Sequence, residues 1–359
     1  MAEGIMSMLS GWIERLRSMV PGGQLPESTM ESTPRTPHPR ILTVDIVGMC
    51  NLRCPSCPVG NMGPVNPSGL MSEELFHRIV EKAVTDFGIE SVVLFNWTES
   101  LLHPRVARFV QHVKSLGLYC MLSSNLNVLN DADAIMEAHP DHFRISLSGF
   151  TQEVYGKTHR QGNIERVKQN MRMLSTARQR AGAHQTRVVV YYHKYRHNLH
   201  EVAPMREFSH QLGFEFSDAW AYYMPLEKLL RLLDGQLPPE ERRFVEDEFA
   251  LPIVESIAAA RELGPDHRCN LLDDQLVIDV HGNLAICCTV FDLRDGPNRL
   301  GSFLEMSSED ISRSKRDHAT CAKCTAHNIH LHYSYYDLPE LQQKYDDLAT
   351  RNLGRPEGD

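Results

Sequence analysis

Cysteine spacing is where this chain concentrates its chemistry. Cys50, Cys54 and Cys57 stand in Gly48-Met49-Cys50-Asn51-Leu52-Arg53-Cys54-Pro55-Ser56-Cys57-Pro58, a C-x3-C-x2-C run in a chain with 9 cysteines in 359 residues. Chance places such a triple in roughly one of two hundred chains of this cysteine content. Three thiolates suit three corners of a four-iron cluster, and the fourth iron then has no ligand in the loop. That leaves a coordination position for a substrate or cosubstrate, unlike a closed electron-transfer centre. Buried cysteines can also pack as small hydrophobes. The position argues against that here, because the β-branched run Ile41-Leu42-Thr43-Val44-Asp45-Ile46-Val47 is broken by Gly48 just before the first cysteine. The triplet is expected on a loop after a strand, where α/β barrels gather functional groups.

A second group, Cys269, Cys287, Cys288, Cys321 and Cys324, fills the final quarter of the chain. Cys269, Gly282 and Cys287 form C-x12-G-x4-C, and Cys321 with Cys324 form C-x2-C. Two thiolates around a hairpin and two from a turn can close a cluster or a zinc tetrahedron, and spacing alone leaves both open. Cys288 is surplus: it is a packed thiol, an alternate ligand or a hydrogen-atom donor. The first is favoured because adjacent strand residues point to opposite faces. Cys120 reads as core, and His327, His330 and His332 read as a polar shell beside the second cysteine group.

Elements must position these groups. Strand-like runs at 41–47, 91–96, 118–124, 143–148, 186–193 and 214–221 alternate with amphipathic stretches near 72–87, 103–116, 131–138, 163–181 and 200–212. Ser72 followed by Glu73 and Glu74 marks a helix start, and Gly88, Gly117 and Gly213 mark helix ends. The alternation implies an α/β fold on a parallel sheet with right-handed crossovers, either doubly wound or a partial barrel. Beyond 222 come helical stretches near 225–234, 238–248 and 251–263. A hairpin follows over Gln275–Cys287 with His281-Gly282 at its turn, then a helix near 338–352 and a polar tail. At the other end, residues 1–20 form an amphipathic helix expected to pack on the domain, and 21–39 a Pro-rich linker.

The composition is that of a globular chain, with 42% hydrophobic and 23% charged residues. A net charge of −9 argues against nucleic acid as the main partner, since phosphate binding needs a basic footprint. No apolar run is long enough for a transmembrane segment, and no secretory signal is visible. An odd cysteine number in tight clusters points to metal ligands in a reducing compartment, and so to a cytoplasmic location.

The cysteine triplet directly after the first strand resembles the signature of the radical S-adenosylmethionine (radical SAM) superfamily. That resemblance selects an open, partial (βα)6 TIM-type barrel over residues 40–222, and implies a [4Fe–4S] cluster on Cys50, Cys54 and Cys57 that binds SAM and cleaves it to a 5′-deoxyadenosyl radical. Many members carry an aromatic residue before the third cysteine, where this chain has Ser56. The family's Gly-Gly-Glu-type motif after the second strand resembles Asn96-Trp97-Thr98-Glu99-Ser100, which keeps the acid for the methionine ammonium and lacks the glycines. By the same resemblance Ser124, Asn125 and Ser146 line the cosubstrate and Arg160 pairs with its carboxylate.

The second cysteine group resembles SPASM and Twitch extensions. With no cysteine after Cys324, the shorter Twitch form fits, a small β-hairpin plus helix holding one auxiliary [4Fe–4S] cluster on Cys269, Cys287, Cys321 and Cys324. The implied organisation is a helical connector at 223–268, the auxiliary domain at 269–335 and a C-terminal helix and tail at 336–359. The expected function is hydrogen abstraction from a small, polar, sugar-like substrate, giving dehydrogenation, with flavodoxin or ferredoxin as reductant. Radical epimerisation and peptide maturation are the alternatives; the latter is disfavoured because only 39 residues precede the first strand, too few for a leader-binding module. From another class, the rivals are a non-enzymatic iron–sulfur electron carrier and a zinc-stabilised scaffold.

Overall fold

The computed structural model describes residues 40–354 apart from 67, 265–267 and 295, so the expected helix at 1–20, the linker at 21–39 and the end of the polar tail lie outside the described residues. Within them, β1 (Ile41–Val44), β2 (Ser91–Val93), β3 (Tyr119–Ser124), β4 (His142–Leu147), β5 (Arg187–Lys194) and β6 (Glu215–Trp220) form where the alternation placed them. The five expected helices between them are Glu73–Phe87, Val106–Ser115, Ala132–Glu137, Ile164–Arg180 and Val202–Gln211, joined by the shorter Pro58–Asn61 and Gln152–Thr158.

The first of these shows why local sequence suffices. Ser72 Oγ accepts the Leu75 N–H at 3.1 Å, a cap worth about 1 kcal/mol. Glu73 and Glu74 sit against the positive end of the helix, and Gly88 ends it at φ +58°, a conformation that suits glycine. Phe76, Ile79, Val80, Ala83 and Phe87 are buried at helical spacing, and Phe76 meets Phe109 of the next helix edge-on at 4.7 Å.

Pleating sorts the strands' side chains onto two faces. Leu42, Val44, Val92, Leu122, Phe143 and Ile145 join the large core under the helices, together with Cys120 as expected. Their neighbours Ile41, Val93 and Met121 point the other way and form a small apolar plug inside the curve of the sheet. Polar residues stand above that plug on the same inner face: Thr43, Ser123, Arg144, Ser146 and His193.

The sheet has nine strands in the order β6-β5-β4-β3-β2-β1-β7-β8-β9, with β1 through β7 parallel. It stays open between β6 and β9, in keeping with a partial barrel. The expected hairpin forms, β7 (Gln275–Ile278) against β8 (Asn283–Ala285), with Gly282 at φ +83° in its turn. What the sequence reading did not anticipate is that β7 also pairs in parallel with β1, Ile41 opposite Gln275 through Val44 opposite Ile278. The C-terminal segment thereby covers the bare edge of the first strand and lies beside the cysteine loop. Also unanticipated were β9 (Arg299–Ser302) and the helices Ser308–Arg316 and Ala319–Ala326. Their sequences lack an apolar stripe; in Ser308–Arg316 only Ile311 and Lys315 are buried.

Candidate functional site

The cysteine loop is held from beneath by a residue the sequence reading passed over. Asp45, just beyond β1, accepts hydrogen bonds from the Asn96 N–H and the Thr98 hydroxyl, each at 2.7 Å, and from the N–H groups of Trp97 and Thr98. Burial raises its carboxyl pKa while these donors oppose the shift. The bonds clamp the end of β2 against β1 and set Glu99, whose N–H donates to Met49 O at 3.1 Å. Gly60 is a second constraint: a Cβ there would lie 2.1 Å from the Cys54 carbonyl oxygen, so only glycine lets the short helix Pro58–Asn61 close over the loop.

Glu99 is 2% exposed, and its oxygens accept the N–H of Leu101 at 3.1 Å and of Asn125 at 2.8 Å. Burial nevertheless pushes its pKa up to about 7. Asn125 Nδ2 donates to Asn51 Oδ1 at 2.9 Å and stands 3.7 Å from Cys50 Sγ. Two of the expected cosubstrate contacts are therefore bonded to each other and to the cysteine loop.

All three cysteines open on one cavity of about 350 Å³, which Glu99, Ser124, Asn125, Ser146 and Cys288 also line. Ser124 Oγ accepts the Leu126 N–H at 2.8 Å, and Ser146 Oγ bonds His193 Nε2 at 2.8 Å. Burial pushes Cys50 up to about 12, Cys57 to about 11 and Cys54 upward. Desolvated thiols that share a cavity keep their protons until a metal replaces them, so this donor set fits an iron–sulfur cluster. Arg160 differs from the other expected contacts: its side chain is exposed and does not line the cavity. Its carbonyl accepts the Arg53 N–H at 3.1 Å, and its charge acts on Cys54. Where the loop has Ser56 in place of an aromatic residue, Tyr195 from beyond β5 puts its hydroxyl 2.7 Å from Ser56 Oγ, and its ring lines the cavity.

Cys269, Cys287, Cys321 and Cys324 converge on a second cavity, of about 20 Å³. Leu271, Thr289 and Tyr333 line both cavities and so form the wall between them. Adjacent residues part at this wall, Cys287 facing the small cavity and Cys288 the large one. Burial pushes Cys269 up to about 12 and Cys321 to about 11, and raises Cys324 as well. Cys287 goes down instead, because Cys288 and the Thr289 hydroxyl, 3.5 Å away, donate to its sulfur. A buried cation stands close by: Lys315 is 5% exposed, donates to Gln275 O at 2.5 Å and adds positive potential at Cys287 and Cys321. Of the three histidines, His330 lines this cavity, His332 bonds Tyr345 and Ser256 away from it, and His327 caps the helix Ala319–Ala326. Among the described residues no three His, Cys, Asp or Glu side chains converge as ligands of a single ion. Cluster thiolates bind separate irons and need no such point of convergence.

Comparison with known proteins follows the same residues. Residues 44–203 match the Radical SAM superfamily. A probable GTP 3′,8-cyclase of Methanocaldococcus jannaschii is 25% identical over 130 residues, 36% of this chain, and the match spans 43% of that protein's length. Streptococcus suis SuiB bound to S-adenosylmethionine has a similar fold at TM-score 0.51 and 12% identity over 77% of this chain and 65% of SuiB; with its precursor peptide SuiA bound, the figures are 0.53, 13%, 86% and 77%. The enzyme anSMEcpe with bound AdoMet matches at 0.51 and 13% over 88% of this chain and 98% of its own. At these identities the structural matches speak for the fold, while the family match falls on the segment that carries the cysteine loop, Glu99 and the strand ends around them. Residues 44–203 of this chain therefore form a radical SAM domain, the unit that in its superfamily carries a [4Fe–4S] cluster and SAM.

Proposed function

We propose that this enzyme abstracts a hydrogen atom from a small polar, sugar-like substrate and completes a dehydrogenation with the help of an auxiliary [4Fe–4S] cluster. The observation that carries the reading is the single cavity shared by the three loop cysteines, Glu99, Ser124, Asn125 and Ser146, with the four C-terminal thiols one wall away. When bound, cluster and SAM supply a 5′-deoxyadenosyl radical, able to take hydrogen from an unactivated carbon.

The chain's own residues bind and orient. Cys50, Cys54 and Cys57 would hold the cluster, three thiolates leaving capacity for SAM to bind it. Glu99 offers a buried carboxylate to the methionine ammonium, which lowers its pKa and replaces the water it has lost. Ser124, Asn125 and Ser146 present hydroxyl and amide groups to the cosubstrate's polar atoms, and Tyr195 supplies the aromatic face absent from the loop. Arg160, exposed and outside the cavity lining, acts on the cosubstrate carboxylate only at longer range.

Two-electron oxidation requires that the substrate lose a hydrogen atom to the radical, then one electron to a redox centre and one proton to solvent water. Cys269, Cys287, Cys321 and Cys324 would hold the centre that accepts that electron, with flavodoxin or ferredoxin as the external redox partner. The domain limits that follow are a core at 40–222, a helical connector at 223–268 and an auxiliary domain at 269–335.

The test is anaerobic incubation with SAM and dithionite. Formation of 5′-deoxyadenosine with about eight irons per chain supports the reading; four irons with one zinc replaces the second cluster, and no 5′-deoxyadenosine leaves an electron carrier or scaffold. One observation favours a second reading: Cys288 lines the large cavity, where a thiol can return a hydrogen atom to a substrate radical. Epimerisation would put solvent deuterium into the product, and Cys288→Ala would abolish that incorporation; dehydrogenation would do neither.

A further inference from the structure

We propose that the substrate of this cavity carries an oxyanion, a carboxylate or phosphate, and that Arg144 binds it. The inference rests on the cavity being the substrate site of the reaction proposed above. Arg144 lies on the inner face of β4, two residues before Ser146 and in register with Ser123 of β3. Its Nε donates to Ser123 Oγ at 2.9 Å, and its guanidinium lies 4.6 Å from the centre of the Phe95 ring and 5.6 Å from that of Tyr191. These contacts fix the plane of the fork. They leave both terminal nitrogens without a hydrogen bond or ion pair among the described residues, and neither is sealed off from the cavity that Arg144 lines.

Withdrawal from solvent without a counter-ion among the described residues sets this arginine apart. Elsewhere Arg180, Arg187, Arg268 and Arg294 each meet a carboxylate within 3.0 Å at the surface, where water would have solvated them anyway. Arg144 is withdrawn from bulk solvent and has no acid beside it among the described residues. The acid that lines the same cavity, Glu99, accepts backbone N–H groups and makes no ion pair with Arg144. Desolvating a cation without a partner is destabilising, and burial indeed lowers the Arg144 pKa to about 10. An apolar residue would fill the space between Phe95 and Tyr191 at no such cost. A planar fork aimed into a cavity matches the two oxygens of a carboxylate or phosphate.

Depth assigns that oxyanion to the substrate and not to SAM. Arg144 is three residues before Leu147, the end of β4, hence about 10 Å below the strand ends where the cysteine loop and Glu99 lie. It stands just above the apolar plug of Val93 and Met121. The anion would therefore anchor the far end of the substrate and hold its reacting carbon up toward the cosubstrate.

The experiment uses the full chain with its clusters reconstituted and SAM bound, and reads thermal stability against inorganic phosphate and acetate, with chloride at equal ionic strength as the blank. Stabilisation by phosphate or acetate beyond chloride is expected in the wild type, weakened by about tenfold or more in apparent affinity in Arg144→Gln and less in Arg144→Lys, which keeps the charge and loses the fork. No stabilisation beyond chloride in the wild type, or an equal response in Arg144→Gln, overturns the proposal. Loss of SAM affinity in Arg144→Gln in step with the anion response also overturns it, since Arg144 would then serve the cosubstrate. Should Arg144→Gln not fold, the wild-type comparison and Arg144→Lys still decide. The broader reading is judged separately, by 5′-deoxyadenosine from the wild type without any anion.

Discussion

The two cysteine sites use the same ligand in opposite ways. At the first, three thiols open on a cavity of about 350 Å³ and are bordered by polar groups that have capacity to spare; at the second, four thiols, two of them on the helix Ala319–Ala326, close on about 20 Å³. In the proposed reading the N-terminal site admits a cosubstrate, whereas the C-terminal site is filled once. Their second layers differ accordingly, a buried acid (Glu99) beside the open site and a buried cation (Lys315) beside the closed one. An acid recruits a positively charged cosubstrate, whereas a cation offsets the charge accumulated by four thiolates.

The sharpest way to break this comparison is to remove a ligand at the open site. Changing Cys50, Cys54 or Cys57 to Ala is expected to reduce 5′-deoxyadenosine formation to background, read by chromatography after incubation with SAM and dithionite. Any variant that retains wild-type formation removes the assignment of that loop. Gly60→Ala tests the same loop without touching a ligand: a Cβ 2.1 Å from the Cys54 carbonyl forces the loop apart, so bound iron should fall from about eight toward about four atoms per chain. Full iron loading in that variant would show that the loop can yield.

At the closed site, replacing Cys321 and Cys324 together by Ala should likewise remove about four irons while SAM cleavage continues, because the three-thiolate loop is intact. Concerted loss of both clusters would mean that the sites are not separable. Glu99→Gln should leave iron content near normal and weaken SAM binding by about tenfold, the order expected for one charge-assisted contact. Arg160→Ala, removing an exposed side chain, should cost no more than about threefold by the modest worth of solvent-screened charges. Calorimetric titration with SAM orders the two, and a larger effect at Arg160 would reverse the assignment. The smallest effect is expected from Lys315→Met, which should shift the reduction potential of the second centre downward by tens of millivolts in a potentiometric titration. An unchanged potential would make Lys315 a purely structural residue that holds Gln275 O.

The chain's own pattern determined the alternation of strands and helices, their caps and the two groups of cysteines, because each is set by neighbours within a few residues. Ser72, Gly88 and the apolar positions of Glu73–Phe87 act inside a single helix and are legible there. The triplet at Cys50, Cys54 and Cys57 is legible for the same reason. Tertiary structure decided what depends on which elements lie side by side. The pairing of β7 with β1 carries no local mark, since a buried parallel strand reads as an apolar run whatever its partner, yet it brings the second cysteine group to one wall from the first. Asp45 looks like a polar interruption in a strand until the end of β2 arrives to bond it. Cys288 looked like a packed thiol on the far face, but that face is the cavity. The exposed Arg160 and the inward Arg144 cannot be ranked from composition, because both follow polar spacing in the sequence and only the curvature of the sheet determines which one the cavity receives.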